Sequence, residues 1–192
     1  MMQLVLGSTS PFRKALLEKL GIPFVTDAPL ADESPRPGEH ADQLVMRLAE
    51  LKARDVATRH TDALIIGSDQ VACINADIVG KPGNRANAIA QLTAASGKAV
   101  TFHTGLCLYN SRSGRSQVAV ERFTVNFRNL DRGQVERYVD RERPFNCAGS
   151  FKSEGYGITL FDSLEGRDPN TLIGLPLILL VEMLGNEGVV LP

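Results

Sequence analysis

Cysteine, histidine and tryptophan are scarce in this chain of 192 residues, which has three cysteines, three histidines and no tryptophan. The cysteines are odd in number, widely separated and outside any paired-cysteine motif; they are Cys73, Cys107 and Cys147. The odd number and wide spacing disfavour a disulfide framework, and the absence of a paired-cysteine motif disfavours a zinc knuckle. The histidines stand singly, and we expect them on the surface or in packing contacts rather than on a metal.

Long apolar runs and an excess of one charge are also missing. The longest apolar stretch, residues 175–181, contains Pro176 and is far shorter than the roughly 20 residues that a membrane span needs. The first residues form neither a basic leader nor a long apolar segment, so we expect a cytoplasmic protein. Lysine and arginine total 21 against 22 acidic residues. Because a nucleic-acid-binding face needs a basic excess, no nucleic-acid partner is expected. The short apolar runs likewise predict no membrane partner.

Apolar residues make up 43% of the chain, which is enough for a packed core. Their spacing predicts strands at 3–6, 24–25, 63–66, 100–109 and 117–127, and a hairpin over 71–79. It also predicts helices at 42–60, 85–96 and 176–184, and two more that begin at residues 11 and 131. Residues 67–70 are expected just beyond the end of the strand at 63–66. Early alternation of strands and helices, followed by a long hairpin, predicts a mixed-sheet α/β protein. Residues 1–192 form one domain in this prediction, with the hairpin as a second lobe.

A hydroxyl-rich turn joins the first strand to the first helix. Ser8 and Ser10 lie at a helix N-terminus, where free amides, hydroxyl donors and the helix dipole favour an anion. Arg13 adds positive charge. The alternative is that Ser10 only caps the helix. Phe12 lies on the apolar stripe of this helix, so from the pattern alone it belongs to the core.

Two acidic residues stand where ligand groups are commonly found. Glu33 lies in a loop, and Asp69 follows a buried strand. Two carboxylates from separate segments can share one Mg²⁺, which takes oxygen ligands. The alternative is that each is a surface or capping acid.

Three lysines are candidate phosphate ligands. Lys52 lies on a helix, Lys81 lies in a Gly-Lys-Pro loop, and Lys152 lies in a stretch rich in glycine and polar residues. A triphosphate needs such point charges. Each lysine taken alone is equally consistent with a solvated side chain, and Gly80-Lys81-Pro82 lacks the spacing of a P-loop.

In their order along the chain, these motifs resemble the Maf family of nucleotide pyrophosphatases over nearly the whole length. The resemblance is carried by the segments 8–13, 51–53, 67–69, 80–82, 148–149, 154–155 and 168–176, together with Glu33. It implies a cytoplasmic, metal-dependent enzyme that cleaves a nucleoside triphosphate between the α and β phosphates. It also implies a mixed β-sheet with flanking helices, in two lobes around a central cleft, similar to inosine-triphosphate pyrophosphatases.

The resemblance also implies a role for each motif residue. The expected catalytic residues are Asp69 as proton acceptor, Glu33, Lys52 and Lys81. Glu33 and Asp69 are expected to hold the metal, Mg²⁺ or alternatively Mn²⁺. Substrate binding is expected from Ser8, Ser10, Phe12, Arg13, Gln70, Lys152 and Glu154. A homodimer is compatible with this prediction.

Phe12, Gln70 and Glu154 occupy the three positions that separate base preferences in the family. The branch that resembles dTTP/UTP pyrophosphatases has Arg, Thr and Gln there, whereas this combination resembles the branch acting on 7-methyl-GTP. A carboxylate such as Glu154 can accept both N–H donors of a guanine edge, and Phe12 offers a π face to the cationic methylated base. The alternatives are a dTTP/UTP pyrophosphatase and a nucleotide-binding regulator of cell division without catalysis.

Overall fold

The computed structural model describes residues 2–192. The strands are β1 (Gln3–Gly7), β2 (Phe24–Asp27), β3 (Ala63–Ile74), β4 (Asp77–Val79), β5 (Ala99–Asn110), β6 (Arg115–Phe127) and β7 (Phe161–Gly166). The α-helices are α1 (Pro11–Glu18), α2 (Ala41–Ala57), α3 (Arg85–Ala95), α4 (Arg132–Glu142), α5 (Asn170–Ile173) and α6 (Leu177–Asn186). Two short 3₁₀ helices cover Ala148–Ser150 and Tyr156–Leu160. Among the described residues, no helix is both long enough and apolar enough to cross a membrane.

The strands form one mixed sheet in the order β2-β1-β3-β5-β6-β7, with β4 paired to β3. β1 runs parallel to both β2 and β3. β4 is antiparallel to β3, and β7 is antiparallel to β6. The predicted class, a mixed α/β sheet with flanking helices, is confirmed.

The chain divides into two compact units. The first contains the chain up to Gln70, Thr104–Glu121 and Gly174–Pro192, and the second contains Val71–His103 and Arg122–Ile173. The long β5–β6 hairpin is therefore shared between the units rather than forming the second one. The single domain with a central cleft stays a prediction.

Each unit has its own apolar core. In the first unit, buried side chains of β1 and β3 pack with α2, including Val5, Ile65 and Val56. In the second unit, Phe151 contacts Phe102 and Phe127 edge to face, with ring centroids 5.3 Å apart in both pairs. Such aromatic contacts add to the free energy gained from burying the rings.

Local sequence signals explain most element boundaries. Pro11 occupies the first turn of α1 after the cap at Ser10. Asp131 and Gln134 form the predicted capping box of α4, with Asp131 Oδ1 accepting from Gln134 N–H at 2.8 Å.

Three boundaries differ from the sequence prediction. β3 does not end at Ile66, where its pairing with β1 ends, but continues to Ile74, because its other neighbours in the sheet are β5 and, over Ala72–Ile74, β4. β7 was not predicted, since most of its side chains are exposed and only pairing with β6 defines it. α6 runs on through Gly185 to Asn186.

Candidate active site

The turn after β1 holds two serines whose hydroxyls organise the start of α1. Ser8 Oγ accepts a hydrogen bond from Ser10 N–H at 3.1 Å, and Ser10 Oγ accepts one from Arg13 N–H at 3.4 Å. The capping role of Ser10 is therefore confirmed. The helix dipole still points its positive end at this turn, so the anion-binding role of Ser8 and Ser10 remains a prediction consistent with the geometry.

Phe12 lies in the first turn of α1 and is 42% exposed. The interpretation of Phe12 as a core residue is therefore wrong. Leu16 and Leu17, one turn later, fill the core from this helix and are 3% and 0% exposed. The Phe12 ring is left accessible to a ligand.

Helix α2 and strand β3 touch backbone to backbone at Gly67. A Cβ on Gly67 would lie 2.1 Å from the carbonyl oxygen of Ala49 and 2.9 Å from the nitrogen of Ala53. Only glycine permits this approach, because such distances are far shorter than van der Waals contact. The close approach brings Lys52 on α2 next to Asp69 on β3.

Lys52 joins two carboxylates that come from different segments. Its Nζ lies 2.7 Å from Asp69 Oδ1 and 2.9 Å from Glu33 Oε2. The side chains of Lys52 and Asp69 are only 7% and 12% exposed, whereas Glu33 is 54% exposed. Charges this deeply buried are tolerated only when they are paired. The structure thus brings together three of the four predicted catalytic residues.

Arg13 lies close to the same carboxylates and is held by a backbone carbonyl. Arg13 Nε donates to Gly174 O at 2.8 Å, and the hydroxyl of buried Ser68 donates to the same oxygen at 3.1 Å. Burial lowers the pKa of Arg13, while attraction by Asp69 and Glu33 opposes that shift. The guanidinium remains charged, because the ordinary arginine pKa lies far above neutral pH.

Sequence reasoning assigned no role to Ser68 or Gly174. Both lie inside motifs that carried the family resemblance, and that was the available signal. Gly174 has φ +126°, a conformation that side chains rarely adopt. This backbone conformation directs the Gly174 carbonyl at Arg13, and any other residue at position 174 would be strained in it.

The carboxylates fit a small divalent cation. Among the described residues, no group of three or more His, Cys, Asp and Glu side chains could hold a metal. Glu33 and Asp69 nevertheless meet at one ammonium group, so each presents an oxygen to the same small region. Mg²⁺ is commonly held by one or two carboxylates, with waters and substrate phosphates as the other ligands. Such a pair of carboxylates suits a hard divalent cation, and the binding of Mg²⁺ or Mn²⁺ at Glu33 and Asp69 stays a prediction.

Gln70, also on β3, is oriented by a buried hydroxyl. Its Nε2 donates to Thr104 Oγ1 at 2.9 Å, and Thr104 is 0% exposed. Sequence reasoning did not identify Thr104, because nothing in a strand pattern marks a hydroxyl that faces a neighbouring strand.

The remaining predicted residues lie in the second unit. Lys81 is exposed in the loop after β4, and Glu154 is exposed in the turn before Tyr156. Lys152 Nζ lies 3.9 Å from Glu142 Oε1. Burial raises the pKa of the Cys147 thiol, and the charges of Lys152, Glu154 and Lys81 are close enough to modify it.

Known structures share this fold. The Ham1 protein of Staphylococcus aureus matches with a TM-score of 0.54 at 12% sequence identity, covering 96% of this chain and 99% of that chain. The likeness confirms the predicted fold class.

Sequence comparisons are more specific. A Vibrio vulnificus protein is 59% identical over 186 residues, covering 97% of this chain and 95% of the relative. An Alcanivorax borkumensis protein is 60% identical over 189 residues, covering 98% and 96%. Both relatives are named 7-methyl-GTP pyrophosphatase. The family model described as Maf-like protein matches residues 3–187. With nearly its whole length matched, this chain belongs to the Maf family.

Proposed function

We propose that this protein hydrolyses 7-methyl-GTP to 7-methyl-GMP and pyrophosphate. The observation that carries the proposal is its near full-length identity of 59% and 60% to two proteins named for that activity. The buried Lys52–Asp69 pair with Glu33 beside it supports a hydrolytic site, since enzymes place paired charges where a reaction develops charge.

In the proposed mechanism, Asp69 is the proton acceptor. Its carboxylate takes a proton from a water molecule whose oxygen attacks the α phosphorus. A bond forms between that oxygen and the phosphorus, and the bond from the phosphorus to the α–β bridging oxygen breaks. Pyrophosphate leaves with the electron pair. Lys52, 2.7 Å from Asp69 Oδ1, holds the carboxylate in a fixed position.

The cations and the serine turn stabilise negative charge in this proposal. Arg13 is fixed by Gly174 O and so presents its guanidinium without reorganisation. Ser8 and Ser10 contribute the N-terminus of α1 as an anion site. Lys81 and Lys152 are assigned to phosphate binding.

Glu33 and Asp69 are the proposed metal ligands, with Mg²⁺ as the expected ion and Mn²⁺ as the alternative. When bound, the ion supplies positive charge that neutralises the triphosphate. The cytoplasm as the compartment and the lack of a nucleic-acid partner belong to the same proposal. The net charge of −1 supports the latter. A homodimer is compatible with the proposed function.

Glu154, Gln70 and Phe12 are the proposed base-recognition residues. A guanine edge presents two neighbouring N–H donors, and a carboxylate accepts both. Methylation at N7 makes the base cationic, so the negative charge of Glu154 attracts it. The exposed ring of Phe12 suits a cation–π contact with such a base.

The proposal is tested by a substrate panel with Mg²⁺ and the variant Glu154→Gln. The parent is expected to release pyrophosphate from 7-methyl-GTP with a higher kcat/KM than from UTP or dTTP. Glutamine turns an NH₂ group towards a guanine donor, so kcat/KM for 7-methyl-GTP should fall about tenfold or more, which equals about 1.4 kcal/mol.

The matched control is Glu136→Gln, which removes a carboxylate of α4 that pairs with Arg132 at 2.8 Å. It should leave all three substrates unchanged. A parent that prefers UTP or dTTP would contradict the proposed substrate. An equal drop for all three nucleotides in Glu154→Gln would remove Glu154 from base recognition.

A further inference from the structure

The turn that carries Lys152 and Glu154 has little structure of its own. Gly155 N–H and Gly157 N–H both donate to Lys152 O, at 3.3 and 3.1 Å. Glu154 is exposed, and its carboxylate accepts a long contact of 3.4 Å from the neighbouring Ser153 hydroxyl. The position of the Glu154 carboxylate therefore depends on how the backbone of residues 152–157 is held.

Helix α4 holds that backbone at two points, one on each side of Glu154. The hydroxyl of Tyr138 accepts a hydrogen bond from Lys152 N–H at 3.0 Å. The Oε2 atom of Glu142 accepts one from Tyr156 N–H at 2.9 Å. The two anchors lie one helical turn apart on α4, so a single rigid element fixes both ends of the turn.

Packing strengthens both anchors. Tyr138 is 1% exposed, so its hydroxyl cannot change partner freely. The Tyr156 ring stacks on the Tyr138 ring, with centroids 6.3 Å apart. The guanidinium of Arg141, also on α4, lies 3.9 Å from the centroid of the Tyr156 ring. A Cβ on Gly155 would lie 3.3 Å from both carboxylate oxygens of Glu142, so the turn passes tightly against that side chain.

We propose that Glu142 and Tyr138 are positioning residues that hold the Lys152–Glu154 turn and thereby set selectivity for the methylated guanine base. This inference rests on the proposed function, in which Glu154 accepts the two donors of the base. In this proposal neither Glu142 nor Tyr138 touches substrate. They restrict the backbone of residues 152–157 before the substrate binds. This restriction matters because the two hydrogen bonds from the guanine edge are lost if the Glu154 carboxylate moves by about 1 Å.

The test compares two variants that release one anchor each. Glu142→Ala removes the acceptor of Tyr156 N–H, and Tyr138→Phe removes the acceptor of Lys152 N–H while keeping the buried ring. Each is expected to lower kcat/KM for 7-methyl-GTP about tenfold, mainly through KM, since one hydrogen bond to a positioned group is worth about that factor. The ratio of kcat/KM for 7-methyl-GTP to kcat/KM for UTP should fall by about the same factor, because any loss through the phosphate ligand Lys152 is common to both nucleotides and cancels in the ratio.

Two further variants separate positioning from general damage. Glu142→Gln keeps a carbonyl acceptor for Tyr156 N–H and should recover most of the lost kcat/KM. Glu136→Ala removes a carboxylate from the same helix, where its partner is Arg132 at 2.8 Å, and should match the parent. Thermal unfolding of all variants is measured alongside.

The outcomes are distinguishable. If Glu142→Ala and Tyr138→Phe lower kcat/KM for UTP as much as for 7-methyl-GTP, the two residues serve the fold or the phosphate contacts and the proposal is overturned. It is also overturned if Glu154→Gln alters base preference while both positioning variants leave it unchanged; the proposed function then still stands. A parent that does not hydrolyse 7-methyl-GTP refutes the proposed function itself and this inference with it.

Discussion

Replacing Lys52 by methionine tests the centre of the candidate site. The substitution keeps most of the side-chain volume but removes the ammonium that lies 2.7 Å from Asp69 and 2.9 Å from Glu33. Asp69 is then a buried carboxylate without its lysine. Removing one partner of a buried ion pair costs about 3–5 kcal/mol.

We expect the loss in the free energy of unfolding to lie near the lower end of that range of about 3–5 kcal/mol. Glu33 is 54% exposed, so its pairing with Lys52 is screened by water and contributes little. We expect the free energy of unfolding to fall by about 3 kcal/mol, which corresponds to about 6–12 °C in Tm for a chain of this size. The kcat should also fall at least about tenfold, because the Asp69 carboxylate is no longer held in place.

The assay is thermal unfolding together with steady-state pyrophosphate release, using Arg54→Met as the matched control. Arg54 is on the same helix and pairs with Glu50 at 2.8 Å, but its side chain is 49% exposed. That substitution should cost less than about 1 kcal/mol, as exposed pairs do. If Lys52→Met lowers Tm no more than Arg54→Met, the buried pair does not stabilise the fold as argued.

Three other perturbations probe separate parts of the molecule. Asp69→Asn should lower kcat by about 10²–10⁴-fold, and a variant that keeps more than about a tenth of parental kcat at saturating Mg²⁺ would rule out Asp69 as the base. Lys81→Ala should reduce kcat/KM by a similar factor for every nucleotide tested, whereas a loss confined to one base would place Lys81 at the base. Hydrogen bonds from Arg47 lower the pKa of Glu39 from 4.5 to about 2, so this pair contributes stability above pH 4.5 that is lost as the pH falls towards 2. Arg47→Gln should therefore be less stable than the parent in urea at neutral pH but nearly equal to it near about pH 2, and a constant difference across that range would contradict the assignment.

The sequence could identify the residues of the site singly but not their pairing. Lys52 and Asp69 were both named, yet nothing in the pattern shows that they touch. Their contact depends on the backbone approach at Gly67, where a Cβ would lie 2.1 Å from Ala49 O. Such an approach is a tertiary property, because it requires a helix and a strand to pack in one register.

Side-chain exposure limited the rest of the prediction. β7 escaped notice because five of its six residues are exposed and its strand character comes from the backbone of β6. The helical pattern places Phe12 on the apolar stripe of α1, but the buried part of that stripe begins one turn later, at Leu16 and Leu17. The mixed sheet, by contrast, followed from apolar runs and helix periodicity, which local sequence reports directly. The anion-binding roles of Ser8, Ser10, Arg13 and Lys152 are predictions from residue type and position, whereas the base-recognition role of Glu154 is a prediction from the family resemblance.

The hydrogen bonds to Gly174 O have a consequence for how the protein is made. Arg13 and Gly174 are 161 positions apart, and Ser68 and Gly174 are 106 apart. During synthesis, Arg13 and Ser68 leave the ribosome long before the carbonyl that aligns them exists. The first unit also needs residues 174–192 to be complete. Because contacts between such distant positions form late in folding, a chain stopped before Gly174 has the serine turn, the lysine and the carboxylates but no fixed arginine. Aligned charge in the site therefore arises only after Gly174 has been synthesised and has folded against Arg13 and Ser68.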